Sequence, residues 1–114
     1  MSKQKTNIKT LYSLRNQKAI AEFLSQNRDL IRYLLDAPAK IREIFGDNVK
    51  LELELHTDPE ENWDELFIVI VTSASPKEVI EMERQLFKEW FGKIVDKVGG
   101  RLNYTSEIHR DEIK

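Results

Sequence analysis

The sequence predicts an α+β fold: N-terminal helices, an antiparallel β-hairpin, a crossover helix and a third strand, giving a three-stranded sheet with helices on one face. Three observations carry this. Residues 16–45 show helical apolar spacing, residues 49–56 alternate strictly before an apolar run at 66–71, and a proline-led capping box at Ser75 opens a long amphipathic stripe. A chain of 114 residues with 40% apolar and 33% charged residues fits one domain, too hydrophobic for general disorder and too charged for a membrane-embedded protein. No apolar run approaches the roughly 20 residues of a membrane span. The start "MSKQKTNIKT" lacks the apolar stretch of a secretory signal, so the cytoplasm is the expected compartment. The absence of cysteine excludes disulfides, thiolate metal sites and cysteine nucleophiles, and no cofactor is predicted.

Before Glu22 the chain carries Lys3, Lys5, Lys9, Arg15 and Lys18 and no acid. Residues 1–15 therefore read as a basic, frayed arm ahead of a domain over residues 16–108, with a charged tail over 109–114. Ile8, Leu11 and Leu14 recur at threes, a helical spacing within the arm. From Asn16, Ala19, Ile20, Phe23 and Leu24 share one helical face, followed by Leu30, Ile31, Leu34 and Leu35 and by Ile41, Ile44 and Phe45. "SQN" separates two helices, with Asn27 as the candidate N-cap of the second. Pro38 either opens another helix or kinks a single one, since the apolar phase is nearly kept across it. Gly46 supplies the C-terminal cap.

In "VKLELELH", Val49, Leu51, Leu53 and Leu55 fall on one face and Lys50, Glu52, Glu54 and His56 on the other, the pattern of a strand with one wet side. In "LFIVIV" both faces are apolar, which places this strand at the centre and requires cover on its second face. "TDPEENWDE" reads as a long hairpin connection turning at Pro59. After "SPKE", residues 75–78, the stripe is Val79, Met82, Leu86, Trp90 and Ile94, flanked by Phe87 and Phe91. Gly92 weakens that helix by about 1 kcal/mol relative to alanine, and Gly99 and Gly100 end it. "RLNYTSEI" follows as the third strand, parallel to the central one because a helix joins them. The expected core is Phe23, Leu34, Ile41, Leu53, Val69, Leu86 and Trp90.

With four glycines there is no phosphate-cradling loop; no serine stands in a nucleophile-elbow setting, and no histidine pair has helical spacing. His109 lies in the charged tail without a rigid frame. One candidate remains. "LELELHTDPEENWDEL", residues 51–66, holds seven carboxylates and one histidine with no lysine or arginine. Alternation places Glu52, Glu54 and His56 on one face at about 7 Å steps, while Asp58, Glu60, Glu61, Asp64 and Glu65 crowd the connection. As a metal site, Glu52, Glu54, His56 and Asp58 suit Mg²⁺ or Mn²⁺ better than structural Zn²⁺. As a surface, they are what an uncovered sheet face shows to water, and the solvated reading is preferred because a catalytic pair needs one carboxyl driven into an apolar pocket. The acids are then expected to repel one another, so that Glu52→Gln or Glu54→Gln leaves stability unchanged or slightly higher. Trp63 is either an exposed anchor for a partner or a lid over the central strand's second face, with packing preferred. Trp90 and Phe91 adjoin on a helix, so one faces the core and the other a flank; Phe91 is assigned to the flank, where an interface would form.

The series "FLSQNRDLIRYLLDAPAKIREIFGD", "LELELHTDPEENWDELFIVIV" and "LFKEWF" resembles a group of small uncharacterised bacterial proteins, common in cyanobacteria and thermophiles, over about residues 23–104. The resemblance implies an intact α+β domain and brings no catalytic residue, with only a loose association with toxin-antitoxin-like gene neighbourhoods.

The expected function is a protein-interaction module, antitoxin-like or adaptor, that uses the open sheet face and the acidic hairpin. Trp63, Phe91, Asp58, Glu60, Glu61 and Asp64 are its contact candidates, and a protein partner or a homo-oligomer is its occupant. The alternative is a metal-dependent hydrolase or nuclease using the acidic hairpin. A third reading, nucleic-acid binding by the basic arm, is disfavoured by the net charge of -2.

Overall fold

The computed structural model describes residues 7–109. Its elements are α1 (Ile8–Leu11), β1 (Ser13–Leu14), α2 (Gln17–Gln26), a 3₁₀ turn (Arg28–Leu30), α3 (Ile31–Phe45), β2 (Lys50–Asp58), β3 (Trp63–Thr72), α4 (Pro76–Glu89), a second 3₁₀ turn (Phe91–Lys93), α5 (Val95–Val98) and β4 (Leu102–Ile108). The fold is α+β as expected, but the sheet has four strands in the order β1-β2-β3-β4 rather than three. β2 and β3 form the antiparallel hairpin, β4 runs parallel to β3, and β1 runs parallel to β2. The extra strand comes from the stretch read as a frayed arm. Two residues are too short to show a period, so only their pairing with Glu52 and Leu53 reveals them.

The helices cover the sheet face that carries Leu51, Leu53, Leu66, Ile68, Ile70 and Leu102, meeting it with Ile20, Leu24, Leu34, Ile41, Leu86 and Val98, all buried. Of the expected core, Leu34, Ile41, Leu53, Val69 and Leu86 are buried, while Phe23 and Trp90 sit half-buried at its margin. Asn27 stands at the N-cap position of the 3₁₀ turn that leads into α3, but its side chain makes no capping hydrogen bond there. It ends α2, its side chain donating to the Phe23 carbonyl. The Ser75 capping box is present: the Ser75 hydroxyl accepts from the Glu78 N–H at 3.2 Å and the Glu78 carboxylate accepts from the Ser75 N–H at 3.0 Å. A second box, Asn7 with Thr10, opens α1. The hairpin connection is shorter than its composition suggests. β2 and β3 stay paired out to Asp58 and Trp63, leaving four residues, 59–62, in the turn. Asn62 takes a left-handed conformation (φ 55°) there, and Asp58 accepts from the Glu60 and Glu61 N–H groups.

α3 runs unbroken through Pro38. Proline has no N–H, so the carbonyl four residues earlier, Leu34, loses its helical partner. The Tyr12 hydroxyl takes that place, donating to the Leu34 oxygen at 2.8 Å from a side chain only 4% exposed. Burial pushes the Tyr12 hydroxyl pKa well above the phenol range. Residues 7–15, expected as a solvated arm, thus contribute a core side chain, because an apolar ring with one hydroxyl fits a buried site that lacks a donor. Phe91 also departs from expectation. α4 stops at Glu89, Trp90 leaves helical geometry (φ -137°), and the changed phase turns Phe91 into the core, its ring edge-on to Tyr104 with centroids 5.2 Å apart.

Tyr12→Phe leaves the buried Leu34 carbonyl without a donor and should cost about 1–3 kcal/mol in denaturant unfolding. Leu86→Ala should cost about 2–5 kcal/mol by the same measurement, since Leu86 is fully buried where α4 meets the sheet.

Candidate functional site

The face of the sheet away from the helices is built from the strands' other residues. Across it, Lys50 lines up with Val71 and Glu107, Glu52 with Val69 and Thr105, Glu54 with Phe67 and Asn103, and His56 with Glu65. The central strand is apolar here too. Among the described residues, a side chain from the N-terminal stretch lies across it, beside His56 of β2. Past β1 the chain stays docked on β2: the Arg15 N–H donates to the Leu53 carbonyl at 2.9 Å. The Asn16 amide then acts as a further pairing unit, donating to Leu55 O at 2.9 Å and accepting from Leu55 N at 3.1 Å. Arg15 extends over the face from this mooring. Its Nε donates to Glu52 at 2.5 Å, one Nη to Glu54 at 2.9 Å, and the other to Glu107 at 2.9 Å. Because Glu52 and Glu54 stand on β2 and Glu107 on β4, the guanidinium crosses β3, and Val69 beneath it is 1% exposed. His56 stacks beside it on Phe67, ring centroids 4.7 Å apart, with Nε2 3.5 Å from the Glu54 carboxylate.

This arrangement answers the acidic stretch. Glu52 and Glu54 share a guanidinium from 37 and 39 residues away. The Arg15 hydrogen bonds hold the Glu107 carboxyl below its ordinary pKa, and the same carboxylates raise that of Arg15. The residues weighed as metal ligands are not gathered around one point: Glu52 and Glu54 face Arg15, His56 lies on Phe67, and Asp58 is engaged by the turn's backbone. Among the described residues, no three His, Asp or Glu side chains come together as a metal site requires.

The second feature is the hairpin tip. Asp58, Glu60, Glu61 and Asp64 are all exposed there, and Trp63 is 47% exposed. The Trp63 indole N–H donates to the Gly100 carbonyl at 3.3 Å, fixing the ring against the turn before β4. Trp63 therefore does not cover the central strand's second face, since it stands at the far end of the hairpin and Arg15 provides that cover. Thr57 donates to Asp64 across the two strands at 2.7 Å, stiffening the tip. Sequence reasoning placed Phe91 at the surface; the exposed aromatic is instead Phe87, at 47%. Arg15, the central residue of the open face, is in sequence one charge of the basic arm, and nothing local to it signals its role.

No protein-family model, curated protein or solved structure matches the chain. Among the described residues, no helix is long and apolar enough to cross a membrane.

Arg15→Gln removes three ion pairs at partly exposed positions and should cost about 1–2 kcal/mol. The sign of its pH dependence follows from Glu107. A carboxyl with a depressed folded-state pKa contributes stability above its ordinary value of 4.5 and loses it as pH falls through the lower folded-state value. The wild type should therefore lose this part of its stability on acidification below that ordinary value, and Arg15→Gln should show a flatter dependence there in unfolding curves. Glu52→Gln, expected from the sequence to be neutral or stabilising, should be destabilising, because it takes the charge from the shortest of these contacts.

Proposed function

We propose that the protein is a protein-interaction module, antitoxin-like or adaptor in its role, whose contact surface is the acidic hairpin tip around Trp63. The observation that supports this is a half-exposed tryptophan pinned by a backbone hydrogen bond and surrounded by Asp58, Glu60, Glu61 and Asp64. A fixed indole offers a large contact at little entropic cost, and the acids select a basic partner segment by steering and by repelling acidic ones. The open sheet face is the lesser part of this surface, because Arg15 and its carboxylates occupy its middle. A cytoplasmic setting belongs to the same reading. The hydrolase alternative has less support, since its carboxylates already serve a guanidinium. Nucleic-acid binding by the arm loses Arg15 to the sheet, while Lys3 and Lys5 lie outside the described residues.

Affinity capture from the native host, using the wild type, Trp63→Ala and the pair Glu60→Lys with Glu61→Lys, tests the proposal. A basic protein retained by the wild type and weakened on the order of tenfold or more in both variants is the expected result. Retention unchanged in both variants would overturn it. Positions 60 and 61 are exposed, so the doubly substituted protein should keep the wild-type melting temperature and serves as the arm free of any stability change, since Trp63→Ala also loses the bond to Gly100.

A further inference from the structure

β4 is an outer strand, paired with β3 alone among the described strands. The Leu66 N–H donates to Arg101 O and the His109 N–H to Thr72 O, so by alternation the odd-numbered residues of β4 turn their backbone groups toward β3. Leu102, Tyr104, Ser106 and Ile108 turn theirs outward. α4 is fastened to this strand at one residue: the Tyr104 hydroxyl donates to the Glu83 carbonyl at 3.0 Å and the Ser106 hydroxyl to the Glu83 carboxylate at 2.6 Å. Ile80 and Phe87, seven positions apart and so on one side of α4, are 55% and 47% exposed. Phe87 is held firmly. Its ring lies 6.1 Å from that of buried Phe91, and a Cβ at position 92 would stand 2.8 Å from the Phe87 carbonyl and 2.9 Å from its ring, so the glycine there makes room for it.

We propose that this edge binds a second copy of the chain, β4 against β4 and α4 against α4, both antiparallel, joining two sheets into one. The sequence of each element complements itself about a two-fold axis. Centred on Thr105, β4 sets Leu102 against Ile108 on the core face and the Asn103 amide against the Glu107 carboxylate on the open face. Tyr104 then meets Ser106, and both carry outward-facing backbone groups, as a hydrogen-bonded pair requires. Centred between Glu83 and Arg84, α4 sets Ile80 against Phe87 and Arg84 against Glu83. The two centres coincide, because Glu83 is the residue bonded to Tyr104 and Ser106, on either side of Thr105. One axis therefore satisfies strand and helix together, which is the condition for an isologous dimer. This double self-complementarity selects a second copy over an unrelated peptide. In the single chain the Asn103 side chain accepts from the Tyr104 N–H at 2.8 Å, capping the edge. In the pair, the Ser106 carbonyl of the second copy takes that proton instead.

Sedimentation equilibrium of the full chain over a wide concentration range should give a species of twice 13.4 kDa. Ile80→Lys and Phe87→Lys should each weaken it on the order of tenfold or more. Arg84→Glu, which leaves the apolar contacts in place, should weaken it by charge repulsion and serves if a lysine variant fails to fold. The chain has no cysteine, so Thr105→Cys introduces a single thiol. Directly opposed residues of this kind have Cβ atoms about 4.5–5.5 Å apart, and mild oxidation should cross-link Thr105→Cys but not Glu60→Cys. A mass of 13.4 kDa throughout, a dimer indifferent to all three surface variants, or equal cross-linking of the two cysteine variants would overturn the proposal.

Discussion

Burying the central strand on both faces is the constraint from which the rest of the structure follows. On one side Leu66, Ile68 and Ile70 lie under the helices. On the other, Val69 is equally shut off from water although no described helix or strand covers it. An arginine suits this place because its aliphatic stem can lie along apolar surface while its planar head satisfies several carboxylates at once. The carboxylates remain partly solvated, with Glu107 half exposed, so the arrangement avoids the heavy desolvation cost of a fully buried ion pair. Its contribution is the seal over β3 as much as the charge pairing.

That seal depends on where the N-terminal stretch is moored, and the moorings lie on opposite sides of the sheet. Tyr12 points into the helical side and supplies the donor that Pro38 denies to Leu34. Arg15 lies on the open side, and Asn16 closes the attachment by pairing with Leu55 as a strand residue would. The same few residues thus repair a gap in α3 and cover β3. Loss of this stretch would expose a buried carbonyl and an apolar strip together, which couples the two faces energetically.

The acids of the hairpin divide along the strand according to what they face. Near its base, Glu52 and Glu54 are consumed by Arg15. At the tip, Asp58, Glu60, Glu61 and Asp64 have no guanidinium over them among the described residues and stand beside an indole fixed by Gly100. A metal centre would need those lone pairs to converge, and a flat pleated face spreads them apart instead. The acidic, aromatic tip and the apolar edge of α4 differ in chemistry, and so in the occupants they suit.

Local pattern determined much of this protein from the sequence alone: the alternating strand, the apolar central strand, the Ser75 capping box, the glycine stops and the α+β order all depend on residues within a few positions of one another. The core was legible for the same reason, Leu34, Ile41, Leu53 and Leu86 being read from periodicity. Tertiary structure decided what no period encodes. The pairing of Arg15 with Glu52 and Glu107 spans 37 and 92 residues, and that of Tyr12 with Leu34 spans 22. Phe91 changed sides through one backbone angle at Trp90, and a strand of two residues was visible only through its partner. Hydrophobic pattern specifies which face of an element is buried, whereas the choice of a distant charge or hydroxyl to complete that burial depends on geometry that exists only once the chain has folded.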